Sequence, residues 1–510
     1  MLVKLNCVSF KDLQPTSITV EVYVSSRGLP AFDIVGLADK AVDESKHRVR
    51  TAFRSTGLDF ADKKITVNLA PADIHKEGSY YDLPIAVGIY CARQGICPDE
   101  TDVFYGELSL DGSLRSTPRT LLVSIFAKET GFRRLFIPSY NLHEAAIYTG
   151  TEVYGIRNLS QIFEHLAGKT RLEPAENLQF KAFSKKLNRE SNNSFTRVIG
   201  QFQAKRALEI SAAGGHNVLL TGSPGTGKTM LANALVSILP PLSEEESLEV
   251  TKIYSYIGET NPDLPLIYSR PFRSPHHTAS FAGMIGGGNP ITPGEVTKAH
   301  RGVLFLDEMP EFARNILEAL RQPLQDGVVN ITRSRGSTML PAKFMLVGAC
   351  NPCPCGFFGH PTKECTCSIS QINGYKRRLS GPILDRIDLF ASTVPLNPDE
   401  LEESLRTKDT SYSGETPIIE NITKVRKLQV KRFKGETIFS NSEMNRDHIL
   451  KYCRLKNSVE EFLKSVTTKM TLSTRSYFKL IKVSRTIADL DECGDIEVEH
   501  MAEAAQYRLR

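Results

Sequence analysis

The chain has 510 residues, of which 41% are hydrophobic and 24% charged, and a formal net charge of +5. That length predicts about three domains of ordinary globular composition, and so small a charge permits a polyanionic partner without arguing for one. No apolar run reaches the ~18 residues of a membrane helix, and the opening MLVKLNCVSF alternates like a strand rather than a signal peptide. A cytoplasmic protein with no membrane contact is therefore expected, its ten cysteines serving as core residues or metal ligands rather than disulfides.

Residues 1–170 read as an α/β domain. Ile18, Val20, Val22 and Val24 alternate with more polar neighbours, as a half-buried strand does. Residues 39–53 have helical spacing, KITVNLA at 64–70 is a strand, and residues 83–93 form a second helix. VFYGELSLDGSL at 103–114 predicts a hairpin closing on Asp111-Gly112. Residues 171–195, rich in Lys, Asn and Ser, predict a linker. From Val198 the pattern runs helix, buried strand, Gly-rich loop, helix, and opens a nucleotide-binding domain over 196–394. Residues 395–510 begin polar and become mainly helical, ending in a helix-forming segment at 498–508.

The octet GSPGTGKT (Gly222, Ser223, Pro224, Gly225, Thr226, Gly227, Lys228, Thr229) satisfies G-x-x-x-x-G-K-[ST] after an apolar strand and before the helix-forming MLANALVSIL. Glycines let successive backbone N–H groups converge on phosphates, and the following helix adds its positive end. Lys228 is expected to reach the β- and γ-phosphates of ATP and the Thr229 hydroxyl to ligate Mg²⁺. GVLFLDE at 302–308 supplies a buried strand ending in two carboxylates. Of these, Asp307 suits the Mg²⁺ shell and Glu308 the activation of water. FMLVGACN at 344–351 ends in Asn351, which a parallel sheet would carry to the same crevice to hold the attacking water. Three such strand ends predict an ATPase of the additional-strand class.

Arg386 in GPILDRIDL and Arg475 in STRSYFKLIKVSRT complete the set. Their order resembles the AAA+ arrangement, in which the first is an arginine finger serving a neighbouring subunit and the second contacts the nucleotide of its own. A finger used in trans implies a ring, most often a hexamer.

The span from Lys228 to Asp307 is longer than one helix–strand–helix connection needs, and the surplus includes RPFRSPHHTAS (270–280) and FAGMIGGGNPITPGE (281–295). DGVVNITRSRGSTMLPAKF (326–344) alternates like a β-hairpin with its tip near Arg335-Gly336. These segments resemble the helix-2 insert and pre-sensor-1 hairpin of the AAA+ clade of magnesium chelatases and replicative ring helicases. GQFQAKRALEISAAGGHNVLLTGSPGTGKTMLA, RPFRSPHHTAS, PGEVTKAHRGVLFLDEMPEF, NPCPCG and SRTIADL resemble the ComM/YifB family of magnesium chelatase-like competence proteins, over essentially the whole chain.

The resemblance implies a hexameric, ATP-driven motor on single-stranded or branched DNA, promoting branch migration as transforming DNA is integrated. Pre-sensor hairpins of related rings project into the central pore, so Arg333 and Arg335 are the expected DNA contacts. The alternative is a chelatase motor that drives metal insertion into a porphyrin, although true chelatase motors generally lack the N-terminal domain. The fold implied is an N-terminal α+β domain like ribosomal S5 and the Lon protease catalytic domain, a P-loop α/β domain with both inserts, and a C-terminal helical lid. Tyr80 stands where the Lon family has its nucleophilic serine, and Leu121 falls near its lysine. A Ser–Lys dyad needs both groups, so the N-terminal domain is expected to be a non-catalytic platform.

Cys353-Pro-Cys355 and Cys365-Thr-Cys367 form two tight pairs within residues 353–367. Four thiolates suit tetrahedral Zn²⁺, with His360 a substitute ligand and Cys350 a strand residue. Local basicity is concentrated in Lys424, Lys427, Lys431 and Lys434 at helical spacing, with Arg426 and Arg432 nearby, and in Lys376, Arg377 and Arg378. Either run can face DNA or be a solvated helix face.

Overall fold

The computed structural model describes residues 1–11, 13–25, 29–37, 39–58, 60, 64–148, 150–176, 195, 198–261, 264–288, 291–333, 336–395 and 411–508. Most of the stretch 171–195 therefore lies outside the described residues. The chain divides into two units, one of Met1–Asn188 with Glu244–Tyr268, the other of Arg189–Ser243 with Ser269–Arg510.

In the first unit, period-2 alternation near the N-terminus builds a long antiparallel pair, β1 (Leu2–Lys11) and β2 (Gln14–Ser25). Its register sets Val3, Leu5 and Cys7 opposite Val22, Val20 and Ile18, all six buried. The pair joins β3 (Ala31–Val35), β4 (Lys64–Ala70) and β5 (Asp102–Phe104). A two-strand ribbon of β6 (Glu107–Leu108) and β7 (Leu114–Arg115) follows, then β8 (Arg134–Pro138) and β9 (Glu152–Ile156). The main sheet has the order β3-β4-β2-β1-β5-β8-β9.

The helix expected over 39–53 is Lys40–Ser55, started by Asp39, whose Oδ1 accepts the Val42 N–H at 2.7 Å. The helix expected over 83–93 is Asp82–Gln94, stopped by Gly95 in the left-handed region. It lies so close to the sheet that a Cβ on Gly88 would come within 2.5 Å of Val22 Cγ2. The hairpin expected over 103–114 is smaller than predicted. Asp102–Phe104 is drawn into the large sheet, parallel to β1 and β8, and only β6 and β7 pair around Asp111-Gly112. All three residues of β5 are buried, so it lacks the alternation that would have set it apart.

Segment Glu244–Tyr268 belongs to this first unit although it follows the P-loop helix in sequence. Its helix, Glu244–Ile257, opens on three glutamates, which complement the helix N-terminus. Ser255 and Thr120 both donate hydroxyl protons to the buried Glu144 carboxylate. Arg119 donates to the Tyr256 carbonyl at 3.2 Å and lies over its ring at 4.3 Å.

In the second unit, β10 (Val218–Gly222), β11 (Phe272–Arg273), β14 (Val303–Leu306), β17 (Met345–Cys350) and β18 (Leu389–Thr393) form a parallel sheet in the order β11-β14-β17-β10-β18. Strand β17 stands between β10 and β14, as the additional strand. Two antiparallel ribbons are inserted: β12 (Gly286–Gly287) with β13 (Thr292–Pro293), and β15 (Val328–Arg333) with β16 (Gly336–Pro341). Beyond them lie helices Ser411–Arg432, Arg446–Tyr452, Asn457–Met470, Thr474–Leu490 and Val498–Gln506. These share one core with the sheet, Leu480 and Ile487 joining Leu208, Val218 and Ala391. Among the described residues no helix is long and apolar enough to cross a membrane.

One buried carboxylate ties this unit together. Asp388 takes Lys479 Nζ at 2.9 Å, His216 Nδ1 at 3.6 Å and the Asn217 backbone N–H at 3.0 Å. Asn217 also accepts the Leu346 N–H and donates to the Arg386 carbonyl. Burial alone pushes the Asp388 carboxyl up, but Lys479 and then His216 outweigh it and hold it well below the usual carboxylate range. Asp388→Asn keeps the shape but leaves Lys479 buried without its counter-charge, and is expected to cost about 3–5 kcal/mol in denaturant unfolding at neutral pH. Because the native carboxyl is held below its unfolded value of ~3.9, the contribution is present above that pH and is lost as pH falls below it. The gap between wild type and variant should therefore close on acidification.

Candidate functional site

Strand β10 delivers the octet 222–229 to the carboxyl end of the sheet. Gly225 and Gly227 both have positive φ, 79° and 84°, conformations that bend the chain at no Cβ cost. Helix Lys228–Ile238 then begins directly behind the loop. Gly222 has a second reason to lack a side chain: a Cβ there would lie 2.0 Å from Thr393 Oγ1 and 2.5 Å from the Thr393 carbonyl oxygen. Thr393 ends β18 and also bonds Thr226 Oγ1 at 2.7 Å.

The Lys228 ammonium, buried within the loop, donates to the carbonyls of Gly222 (2.7 Å) and Ser223 (2.9 Å) and to Asn351 Oδ1 (3.2 Å). Burial lowers its pKa, with Asp307 pulling the other way. Thr229 Oγ1 donates to Asp307 Oδ2 at 2.7 Å, and Asp307 Oδ1 accepts the Glu308 N–H at 2.9 Å. Thus Lys228, Thr229, Asp307 and Asn351 come together from three different strands. Glu308 is exposed on a left-handed backbone, φ 49° and ψ 45°, where a non-glycine residue is strained. A hydroxyl and a carboxylate oxygen in contact are the hard oxygen donors that Mg²⁺ takes.

Arg386 donates to the Pro382 carbonyl (2.9 Å) and Gln325 Oε1 (2.7 Å). Its Nε is buried with no hydrogen-bond partner among the described residues. Burial lowers its pKa, and the charges of Arg475 and Arg321 add to the effect. Arg475 is exposed in the first turn of helix Thr474–Leu490, an electrostatically poor position for a cation. One turn further along that helix, Lys479 grips Asp388 and the Ile387 carbonyl. Arg475 is thereby grouped with Arg386.

The four cysteines converge. Sγ atoms of Cys353 and Cys355 are 3.4 Å apart, Cys353 and Cys365 3.7 Å, and Cys355 and Cys365 3.6 Å. With Cys367, all four ligand atoms lie within 4.8 Å of one another. A ZnS₄ tetrahedron with Zn–S of ~2.3 Å has edges of about 3.8 Å, so the donor set fits. Backbone N–H groups, that of Phe357 foremost, pull the Cys355 thiol down to about 6. His360 is outside the cluster, its Nδ1 accepting the Thr362 and Lys363 N–H groups. The cysteine loop touches the 222–229 loop: a Cβ on Gly356 would meet Pro224 Cδ at 2.5 Å.

Arg333 ends β15, half-buried and opposite Gly336, while Arg335 lies outside the described residues. The basic run on helix Ser411–Arg432 and just beyond it divides by face. Lys424, Lys427, Lys431 and Lys434 are exposed, whereas Arg426 bonds the Ala212 carbonyl and Arg432 pairs with Asp489. In the other cluster Arg378 pairs with Glu311 at 2.6 Å. Thr393, Asn217 and Asp388 are site-forming residues that sequence reasoning missed, because nothing in a lone Thr, Asn or Asp signals a packing role.

Gly222→Ala must push Thr393 or the loop aside. It is expected to cost ~1–3 kcal/mol, as overpacking does, with thermal denaturation as the measurement.

The family described as magnesium chelatase, subunit ChlI, matches residues 194–401, subunit ChlI of Mg-chelatase matches 20–141, and the ChlI C-terminal family matches 414–508. The magnesium-chelatase 38 kDa subunit of Cereibacter sphaeroides is 29% identical over 31% of this chain and 52% of its own length. YifB of Escherichia coli (strain K12) is 40% identical over 96% of this chain and 94% of its own. Competence protein ComM of Haemophilus influenzae is 40% identical over 97% and 95%. With that identity sustained across nearly its whole length, the chain belongs to the ComM/YifB family.

Proposed function

We propose that the protein is an AAA+ ATPase that works as a hexameric ring motor on single-stranded or branched DNA and promotes branch migration; a role in competence is what the name of its Haemophilus influenzae relative supports. The observation that carries the reading is the meeting of Thr229 and Asp307 at 2.7 Å, beside a Lys228 ammonium turned onto the P-loop carbonyls and Asn351.

Thr229 and Asp307 would hold Mg²⁺, which neutralises phosphate charge when bound. Lys228 exchanges the carbonyls of Gly222 and Ser223 for phosphate oxygens, without crossing more than the width of the loop. Asn351 orients the water and Glu308 takes its proton. Arg386, whose terminal nitrogens rest on the neutral Pro382 carbonyl and Gln325 Oε1, would exchange these for a phosphate of the neighbouring subunit. Arg475, in the first turn of helix Thr474–Leu490, is read as contacting the nucleotide of its own subunit.

The cysteines Cys353, Cys355, Cys365 and Cys367 would hold a structural Zn²⁺. The first unit is read as a non-catalytic platform: Tyr80 is buried and stacks on Tyr105 at 4.7 Å, and Leu121 is fully buried. Arg333 and the exposed lysines from Lys424 to Lys434 are candidate phosphate contacts. Identity of 40% over 97% of the chain for ComM, against 29% over 31% for the 38 kDa chelatase subunit, favours this reading over porphyrin metal insertion.

Turnover measured with and without forked DNA, at two salt concentrations, tests the proposal. Lys228→Ala should lose tight ATP binding. Glu308→Gln should bind ATP but turn over roughly 10²-fold slower, as for loss of a general base. Forked DNA should stimulate the wild type, and more weakly at high salt. Absence of stimulation at either salt would sink the DNA motor while leaving the ATPase standing. Metal analysis of protein prepared without chelator should find about one Zn²⁺ per chain, and none in reduced, folded protein would remove the zinc assignment.

A further inference from the structure

The segment RPFRSPHHTAS (270–280) has no part in the mechanism above, yet it runs directly past the hydrolytic carboxylate. It leaves the sheet through β11, which pairs with β14, the strand that ends on Asp307 and Glu308. Its two ends are pinned. Arg273 forms a bidentate pair with Glu295 at 2.6 and 2.8 Å, and Ser280 caps helix Phe281–Ile285 by accepting the Gly283 N–H at 3.0 Å. Between them, His276 accepts the Thr278 N–H at Nδ1 and closes a tight turn.

His277 is held by packing on both sides. Its ring lies against that of His276, centroids 4.1 Å apart, and meets the Phe312 ring edge-on at 6.5 Å and 78°. Phe312 is itself buried, four residues beyond Glu308. In that wedge, His277 Nδ1 faces Glu308 Oε2 at 3.9 Å. The separation is longer than a direct hydrogen bond, and one carboxylate rotation or one bridging water spans it. Glu308 sits on a strained left-handed backbone with its side chain exposed, so its own surroundings restrain the carboxylate little. A solvated surface histidine needs neither an aromatic wedge nor a carboxylate partner.

We propose that His277 is a positioning residue for Glu308, fixing the direction of its carboxylate and linking it, through the strap that ends on Ser280, to the helix and ribbon that follow. The inference rests on Glu308 acting as the base in ATP hydrolysis.

A double-mutant cycle tests it, with kcat, KM and binding of a fluorescent ATP analogue measured for each variant. His277→Ala should lower kcat roughly ten- to hundredfold, the scale of a misplaced catalytic group, with KM and nucleotide affinity unchanged. His277→Asn, which keeps a side-chain N–H donor at a similar reach, should recover most of the loss. His277→Leu keeps apolar contact with Phe312 without a donor, should match alanine, and carries the test if the alanine variant does not fold. In the Glu308→Gln background, His277→Ala should cost nothing further, since a residue acting only through Glu308 has nothing left to position. Equal losses in both backgrounds, or wild-type kcat in both His277→Ala and His277→Leu, would overturn the role of His277 alone. Normal turnover in Glu308→Gln by itself would instead remove the base, and the inference with it.

Discussion

Asp388 is a carboxylate taken out of water and surrounded by positive charge, and the geometry of the second unit hangs on it. Two residues before it is Arg386, whose carbonyl is tied to Asn217. Immediately after it runs β18, paired residue for residue with β10 from Val218↔Leu389 to Gly222↔Thr393. That register sets Thr393 against Gly222 and Thr226, and so fixes one wall of the 222–229 loop. Lys479 brings helix Thr474–Leu490, with Arg475 one turn earlier, to the same point. A buried ion pair is a weak source of net stability, because desolvation offsets attraction. Here it joins the loop, the arginine pair and the C-terminal helices in one register.

The parts of the site that could be read in the sequence are those whose chemistry demands a local pattern. Glycines with positive φ must precede Lys228, and apolar strands must end on Asp307 and Asn351, so spacing alone located them. The four cysteines were legible for the same reason, since two C-x-C pairs have few other uses. What stayed hidden depends on partners far apart in sequence. Thr393 matters because β18 pairs with β10, Asn217 because it bridges three segments, and His277 because the end of β11 emerges beside that of β14. The short β5 reads as part of a hairpin in the sequence because a strand with every residue buried loses its period-2 signature.

Charge gives a parallel lesson. The basic run from Lys424 to Lys434 looks uniform in the sequence, but the structure sorts it by length and donor geometry. Arg426 and Arg432, whose planar forks satisfy several acceptors at once, turn inward to a carbonyl and a carboxylate, whereas the lysines stay in water. Arg485 joins Arg432 on Asp489, so the arginines here are structural fasteners. Lys427, Lys431 and Lys434 remain as exposed charge, while Lys424 faces Glu492 at 3.8 Å.

The placement of Glu244–Tyr268 in the first unit changes what the linker does. Were the two units simply consecutive, one break anywhere between residues 171 and 195 would separate them. Instead the chain passes between them three times, near residues 188, 243 and 268. A protease that cuts the linker breaks the one covalent path from the N-terminal residues to the rest, so a denaturing gel shows two fragments, while Glu244–Tyr268, which stays with the larger one, still packs on the smaller in the native protein. A fragment ending at the linker fares worse. It leaves Glu144 without Ser255 and Arg119 without Tyr256, so the N-terminal 170 residues alone lack part of the first unit's packing.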